Sequence, residues 1–479
     1  MTETKNKKRP VVIIGGGITG LAAAWELQQA QMPYVLLEAG PRWGGKVTTE
    51  RRSDGQGGQF VIDGGPESFI TRKPEVWDLA HEAGLAAEIQ PIGSETSHMF
   101  VLDRGEPRLV PLNPLIFAFS PLMSLPGKLR MLAEPFIPPR LDGGDESLGD
   151  YVTRRLGKEA LDQFIGPILA GIYNTDPYRQ SILVSSPVMR EMEAEYGGLF
   201  KAALGKARQA RARRSNGASQ TNGRSGEPEP KKPRFISFAS GAQVLVDGLA
   251  ARLAQHPQAD LRLNSPVRAV LPAVDGWRVE LENGQALAAS AVIAAAPANQ
   301  AARLLAPAAA EAADMLAAIR HENIGTATLI YREADAQTRR RIHGLMVPRR
   351  ERRKIDAITF TSLKLPGRAP QGYRLVRVFF GGGAPEMVEI PEAQMLQAVQ
   401  AELKDLLGIS AAPLDYVAFR WPHSFPQADV GHLERVEQIQ RRLPEGIALA
   451  GSSYRGIGVP DCVRDGRQAA RAIGRLLQS

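Results

Sequence analysis

Residues 11–46 read VVIIGGGITGLAAAWELQQAQMPYVLLEAGPRWGGK, and no other stretch limits the fold as strongly. Val11-Val12-Ile13-Ile14 is a short, wholly apolar run, as expected of a parallel strand buried on both faces. Gly15, Gly17 and Gly20 follow as GxGxxG, and Ile18–Gln28, rich in Ala and Leu, predicts a helix. A second apolar run, Tyr34–Leu37, ends in Glu38, eighteen residues after Gly20. Gly15 allows the tight turn, Gly17 lets the backbone approach a pyrophosphate, and Gly20 lets helix and strand pack closely. The helix start offers free N–H groups and partial positive charge. The spacing therefore predicts dinucleotide binding. Gly15, Gly17 and Gly20 would place the pyrophosphate at the helix start, and Glu38 would accept from the ribose diol.

Glu38 would repel the 2′-phosphate of NADP. The continuation Arg42-Trp43-Gly44-Gly45-Lys46 resembles the segment that follows the dinucleotide fold in flavin amine oxidases, which points to FAD. That family usually has Arg where this chain has Lys46, which keeps the charge and loses the planar fork. An ordinary turn is the competing reading of Gly44-Gly45.

A chain of 479 residues is too long for one core, so two or three domains are expected. Cys462 is the only cysteine, which excludes an intramolecular disulfide and any zinc site built on several thiolates. No metal is expected. A reducing cytoplasm fits, and the polar start MTETKNKKRP does not read as a signal peptide. No uninterrupted apolar run reaches about eighteen residues, so no spanning helix is expected.

The net charge of +8 is local. Ten Lys/Arg between Lys201 and Arg234 face only Glu227 and Glu229, and the remainder is close to neutral. Residues 205–233 have the composition of a disordered, solvated loop. A membrane-surface or partner contact is the alternative. Nucleic acid is not expected, because no groove-reading or aromatic element accompanies the charge.

Further along, Phe60–Asp63 reads as a strand before a Gly/Pro turn, residues 75–84 as a helix, and Met99–Val110 as a hairpin. Leu112–Leu125 is apolar and proline-broken, suited to a pocket wall, a membrane surface or a helical core. Helices are expected at Ser147–Leu156 and Glu159–Ile172, and an antiparallel sheet over 320–385. A strand at Ile447–Gly451, a turn through Gly456, Gly458 and Pro460, and a helix at Asp465–Leu477 close the chain. Strand–glycine–helix thus occurs at both ends. The expected fold class is α/β, a Rossmann-like FAD-binding domain built from discontinuous segments (1–95, 234–300 and 420–479). A helical, pocket-forming and membrane-proximal domain (96–204), the basic loop (205–233) and a mixed α+β substrate domain (301–419) interrupt it.

Five segments together resemble one family. They are Gly15-Gly16-Gly17-Ile18-Thr19-Gly20-Leu21, Gly65-Pro66-Glu67-Ser68-Phe69, Gly171-Ile172-Tyr173 with Asp176, Arg420–Gln427 around Trp421, and Gly456–Cys462. The chain is similar to the oxygen-dependent porphyrinogen oxidases of haem synthesis, protoporphyrinogen and coproporphyrinogen III oxidases, within the flavin amine oxidase superfamily. The resemblance implies that Gly15, Gly16, Gly17, Ile18, Thr19 and Gly20 hold the pyrophosphate, that Glu38 and Ala39 lie at the ribose, and that Gly45, Lys46, Gly64, Gly65, Pro66 and Glu67 lie along the flavin. It implies that Val267 presents its backbone to the adenine, and that Trp421, Ile457, Gly458 and Val459 bracket the isoalloxazine. Arg72 and Lys73 would face substrate carboxylates, and Gly171 and Ile172 would wall the tetrapyrrole.

On this reading a porphyrinogen loses six hydrogens in three two-electron steps, and O2 reoxidises the flavin to give peroxide. The cofactor carries that chemistry, so no catalytic triad is required. Coproporphyrinogen or protoporphyrinogen, a homodimer, and peripheral attachment to the inner face of the cell membrane stay open. The flavin-proximal text looks more like the coproporphyrinogen branch. The alternatives are another flavin amine oxidase or desaturase, and a non-catalytic tetrapyrrole carrier.

Overall fold

A computed structural model describes residues 9–92, 99–110, 120, 122–167, 175–217, 233–339 and 342–478. Its centre is a parallel sheet of five strands in the order Ala259–Arg262, Tyr34–Leu37, Val11–Ile14, Ala291–Ala294, Ile447–Leu449. Alternate residues of each strand feed two different cores. Val11, Ile13, Leu36 and Ile293 pack under the helices Ile18–Gln29, Gln243–Ala254 and Val459–Leu476. Val12, Ile14, Val35, Leu37, Val292 and Ala294 face Trp277, Val279 and Leu281 of a small antiparallel sheet, together with helices Ala298–Leu305 and Ala310–Ala317. Burial on both faces is why these strands are apolar at every position. The expected strand–helix–strand unit is borne out.

A second sheet of seven strands runs Asp415–Pro426, His321–Arg332, Tyr373–Phe380, Ala357–Phe360, Gly344–Met346, Met99–Asp103, Glu106–Leu109. All pairs are antiparallel except Gly344–Met346 with Met99–Asp103. One face is covered by helix Glu392–Leu407 through Met395, Val399 and Leu403. The sheet adjusts the expected boundaries. The 99–110 hairpin, assigned by sequence to the helical unit, extends the sheet edge. Trp421, assigned to the flavin unit, lies on a strand that pairs with His321–Arg332 across the 419/420 boundary. Strand pairing is long-range and leaves no local mark at such a boundary.

Two further corrections are local. Residues 205–217 are not loop but the end of helix Leu199–Gly217. Their Ala, Arg, Lys and Gln are strong helix formers, so low apolar content there signals exposure rather than disorder. Pro460 does not belong to a turn; it sits in the first turn of helix Val459–Leu476, where its missing N–H costs nothing. The helical unit packs Leu148, Tyr151, Val152, Leu156 and Ile182 together. Beneath them the fully buried Arg155 pairs with Glu134. The Leu112–Leu125 segment falls largely outside the described residues. Of the expected helix Glu159–Ile172, residues 159–167 are helical, with Lys158–Ala160 running into a π-helical turn at Leu161–Ile165, and 168–172 lie outside the described residues. No described helix is long and apolar enough to cross a membrane.

Candidate functional site

The glycines of the first turn behave as their spacing requires. Gly15 has φ +109°, and a Cβ there would lie 2.8 Å from the carbonyl oxygen of Ala295. A Cβ on Gly20 would overlap the carbonyl oxygen of Gly15, so only glycine lets this helix close on its strand. At Gly17 a Cβ would meet nothing within 4 Å. The open space therefore lies in front of Gly17, at the N-terminus of a helix with no side-chain cap. That is the arrangement a pyrophosphate needs, and the residues fit FAD there.

A track of contacts leads away from this turn in both directions. Toward the ribose end, the Glu38 carboxylate accepts the N–H groups of Gly16 at 2.7 Å and Gly40 at 2.8 Å, which fixes its orientation. The N–H of Ser265 donates to the carbonyl of Glu38, and that of Asn264 to Gly40. These bonds bring the segment leading to Val267 alongside, while Ala39 is exposed. Toward the other end, Gly17 bridges to Gly44. A Cβ on Gly45 would lie 3.6 Å from the Cα of Gly17. Half-buried Lys46 comes next, its ammonium pKa lowered by burial and within electrostatic range of Cys462 and His321. Its carbonyl presses on Gly65, where a Cβ would overlap it.

The segment Gly64-Gly65-Pro66-Glu67-Ser68 is clamped to the seven-stranded sheet. Buried Arg377 donates to the carbonyls of Gly64 and Gly65, both at 2.6 Å, and to the Glu67 carboxylate at 3.0 Å. Lys364 Nζ reaches the other Glu67 oxygen at 2.9 Å and Ser68 Oγ at 3.1 Å. Thr326 Oγ1 donates to Gly64 O at 2.9 Å. Desolvation alone would raise the Glu67 carboxyl, but Lys364 and Arg377 overcome it and hold it at about 2. Sequence reasoning missed Arg377, although a charge inside the strand YRLVRVFF is itself a signal of a buried ion pair.

A depressed carboxyl stabilises the fold above its unfolded value of 4.5, and that contribution disappears as pH falls through about 2. The unfolding free energy should drop by roughly 3 kcal/mol on acidification through this window. In E67Q the acid limb should flatten, as read from chemical denaturation at stepped pH.

At the far end, Phe419 abuts Gly64 and stacks on Trp421, centroids 5.8 Å apart at 10°. Opposite Asn323 the strand carries three residues, Pro422, His423 and Ser424, between the pairs Ile324–Trp421 and Glu322–Phe425. His423 takes φ +46° in this bulge. Asn323 Oδ1 accepts its N–H at 2.8 Å and Asn299 Nδ2 donates to its carbonyl at 3.1 Å. His321 was also missed. Its Nδ1 donates to Ile319 O at 2.9 Å, its Nε2 lies 3.3 Å from Ser453 Oγ, and burial lowers the imidazole pKa.

The C-terminal turn closes the site. Ile457, Gly458 and Val459 are half-buried where helix Val459–Leu476 begins, and that end also has no side-chain cap. Gly466 touches the first helix so closely that a Cβ would overlap the carbonyl oxygen of Thr19. Cys462 is buried and its thiol is pushed up to about 12, which makes it a small apolar residue and not a thiolate. Lys73 pairs with Asp461 at 2.6 Å on this helix, whereas Arg72 is exposed. The two expected substrate cations therefore sit differently: Lys73, five residues beyond Ser68, is tied to the closing helix, and Arg72 is exposed. Gly171 and Ile172 lie outside the described residues. Among the described residues no cluster suited to a metal ion occurs.

Comparison with known proteins gives a consistent result. The family profile described as flavin containing amine oxidoreductase matches residues 18–474. Coproporphyrinogen III oxidase of Bacillus subtilis (strain 168) is 30% identical over 480 residues, covering 96% of this chain and 97% of that protein. Chloroplastic protoporphyrinogen oxidase of Nicotiana tabacum is 28% identical over 488 residues, covering 97% and 85%. A crystal structure from Exiguobacterium sp. 255-15 superposes with a TM-score of 0.82 at 28% identity, over 99% of this chain and 100% of that one.

Proposed function

The chain belongs to the flavin containing amine oxidoreductase family, and from that premise we propose that it oxidises a porphyrinogen, coproporphyrinogen III first, to the porphyrin. The observation that carries this reading is a match running almost end to end with the Bacillus subtilis coproporphyrinogen III oxidase. It is an FAD-dependent oxidoreductase, and FAD when bound supplies two-electron acceptance from the substrate and return of the electrons to O2.

The chain's own residues bind and orient. Gly15–Gly20 and Glu38 would hold the pyrophosphate and ribose, and Gly45, Lys46 and Gly64–Glu67 would line the flavin. Phe419, Trp421, Ile457, Gly458 and Val459 supply flat and apolar surface suited to exclude water at its reactive end. His321 is held by the Ile319 carbonyl at Nδ1 and by Ser453 Oγ at Nε2, with its pKa lowered by burial. Arg72 is the exposed cation available to a propionate.

The test is incubation of the holoenzyme under air with coproporphyrinogen III, protoporphyrinogen IX and a polyamine in parallel. Porphyrin fluorescence with stoichiometric peroxide is expected, faster from coproporphyrinogen. Peroxide from the amine alone would overturn the reading.

One observation supports action at a cytoplasmic membrane surface. Leu125, Leu129 and Leu132 fall on one face of helix Leu125–Leu132 and are each more than half exposed, and Phe136 is 86% exposed. The adjoining helix Leu199–Gly217 is tied to Glu134 through the N–H groups of Leu199 and Phe200. It carries exposed Lys201, Lys206, Arg208 and Arg211. Apolar side chains beside uncompensated cations suit an anionic bilayer. F136E with L129E should lower co-sedimentation with phosphatidylglycerol vesicles at least fivefold and leave turnover in detergent unchanged. Equal sedimentation of the double variant and the parent would remove this reading.

A further inference from the structure

The charges behind the Gly64–Ser68 segment do not balance. Lys364 and Arg377 both contact Glu67, so two cations share one carboxylate within the clamp. Arg377 is 1% exposed, and among the described residues its Nε has no hydrogen-bond partner and no acidic side chain other than Glu67 pairs with it. Half-buried Lys46, whose carbonyl packs on the Gly65 backbone, adds a further cation within electrostatic range of Cys462 and His321. The Lys364 side chain is 23% exposed and Lys46 half-buried, so solvent screens part of this surplus, and the remainder favours anionic charge that shares the space. A pyrophosphate in front of Gly17 would lie near Gly45 and Lys46 and away from the Lys364–Arg377 clamp.

We propose that Lys364 and Arg377, held apart by Glu67, are positioning residues that set the reduction potential of the flavin, favouring its anionic two-electron-reduced form. The inference rests on the reading that Gly64–Glu67 lie along the flavin. Arg377 acts in two ways. It holds the Gly64 and Gly65 carbonyls toward the seven-stranded sheet, which turns the Gly65 N–H the other way, and it supplies field. Lys364 supplies field alone, since its contacts are to the Glu67 and Ser68 side chains only. Glu67 tempers both. An oxidase that draws electrons from a reduced macrocycle gains from such a field, because negative charge grows on the acceptor as the substrate is oxidised.

The test uses the FAD-loaded full chain without substrate, equilibrated with a reference redox dye. K364M should lower the ratio of reduced to oxidised flavin at fixed poise about tenfold, which is about 30 mV for a two-electron couple. E67Q should raise it severalfold, and K364R should restore the parent value. Opposite signs separate field from packing damage, which would move both variants the same way or empty both of FAD. Shifts of one sign, or none, in variants that retain FAD overturn the proposal. A parent protein that binds FAD but leaves porphyrinogens untouched would overturn the substrate reading while these potentials stand.

Discussion

G466A should purify as colourless apoprotein, with a melting temperature many degrees below that of the parent. Helix Val459–Leu476 crosses helix Ile18–Gln29 at a point where the Gly466 Cα faces the Thr19 carbonyl, and a methyl there overlaps the oxygen. Backbone cannot swing aside as a flexible side chain can, so the helices must part. The N-terminal and C-terminal halves of the dinucleotide site part with them. The penalty expected for overpacking of this kind is about 1–3 kcal/mol or more. Gly474, two turns further along the same helix, is the control. A Cβ there would lie 3.4 Å from the Met32 sulfur, a contact a thioether can relax. G474A should keep its flavin and gain slightly from helix propensity. Absorbance near 450 nm and thermal melts read both; a yellow, stable G466A protein would contradict the packing described.

The second large effect lies at Asp63 and Arg368, a fully buried pair at 2.9 Å. Asp63 also accepts from Thr49 Oγ1 at 2.6 Å and from the N–H of Ala242 at 2.8 Å, and Arg368 donates to Ser237 Oγ and Phe238 O. The pair thus ties strand Gln59–Asp63, the start of helix Gln243–Ala254 and strand Phe235–Phe238 together. Burial pushes the Asp63 carboxyl up, and Arg368 is the strongest influence in the other direction. R368M leaves that carboxyl without its partner and should cost about 3–5 kcal/mol in denaturant unfolding. D63N combined with R368M should recover a substantial part, because the amide carries no charge to bury. A double variant as unstable as R368M alone would show that the guanidinium contacts, not the charge, hold this junction.

The opening strand–turn–helix, the buried strands at Ala291–Ala294 and Ile447–Leu449 and the hairpin over Met99–Leu109 were legible because each is specified by neighbours in sequence. The helical continuation over 205–217 was not, since exposure and disorder share a composition and differ only in propensity. Trp421 was identified as a residue of interest, yet its strand was assigned to the wrong unit. Its partner His321–Arg332 lies about a hundred residues away. Lys73, expected to face substrate carboxylates, pairs instead with Asp461, and nothing local announces that partner. Arg377 and Gly466 left faint traces, a charge in an apolar strand and a glycine in an Ala-rich helix. Neither trace says what it faces.

The sequence by itself determined the dinucleotide turn and its acid at Glu38, because these depend on short-range geometry that few residue types satisfy, and its resemblance over five segments pointed to the family and the cofactor. Only the tertiary structure decided that Gly466 locks the two ends, that Arg377 and Lys364 grip Glu67, and that Lys73 is held by the closing helix. Such pairings bring together residues hundreds of positions apart, and their strength comes from burial, which exists only once the chain has folded.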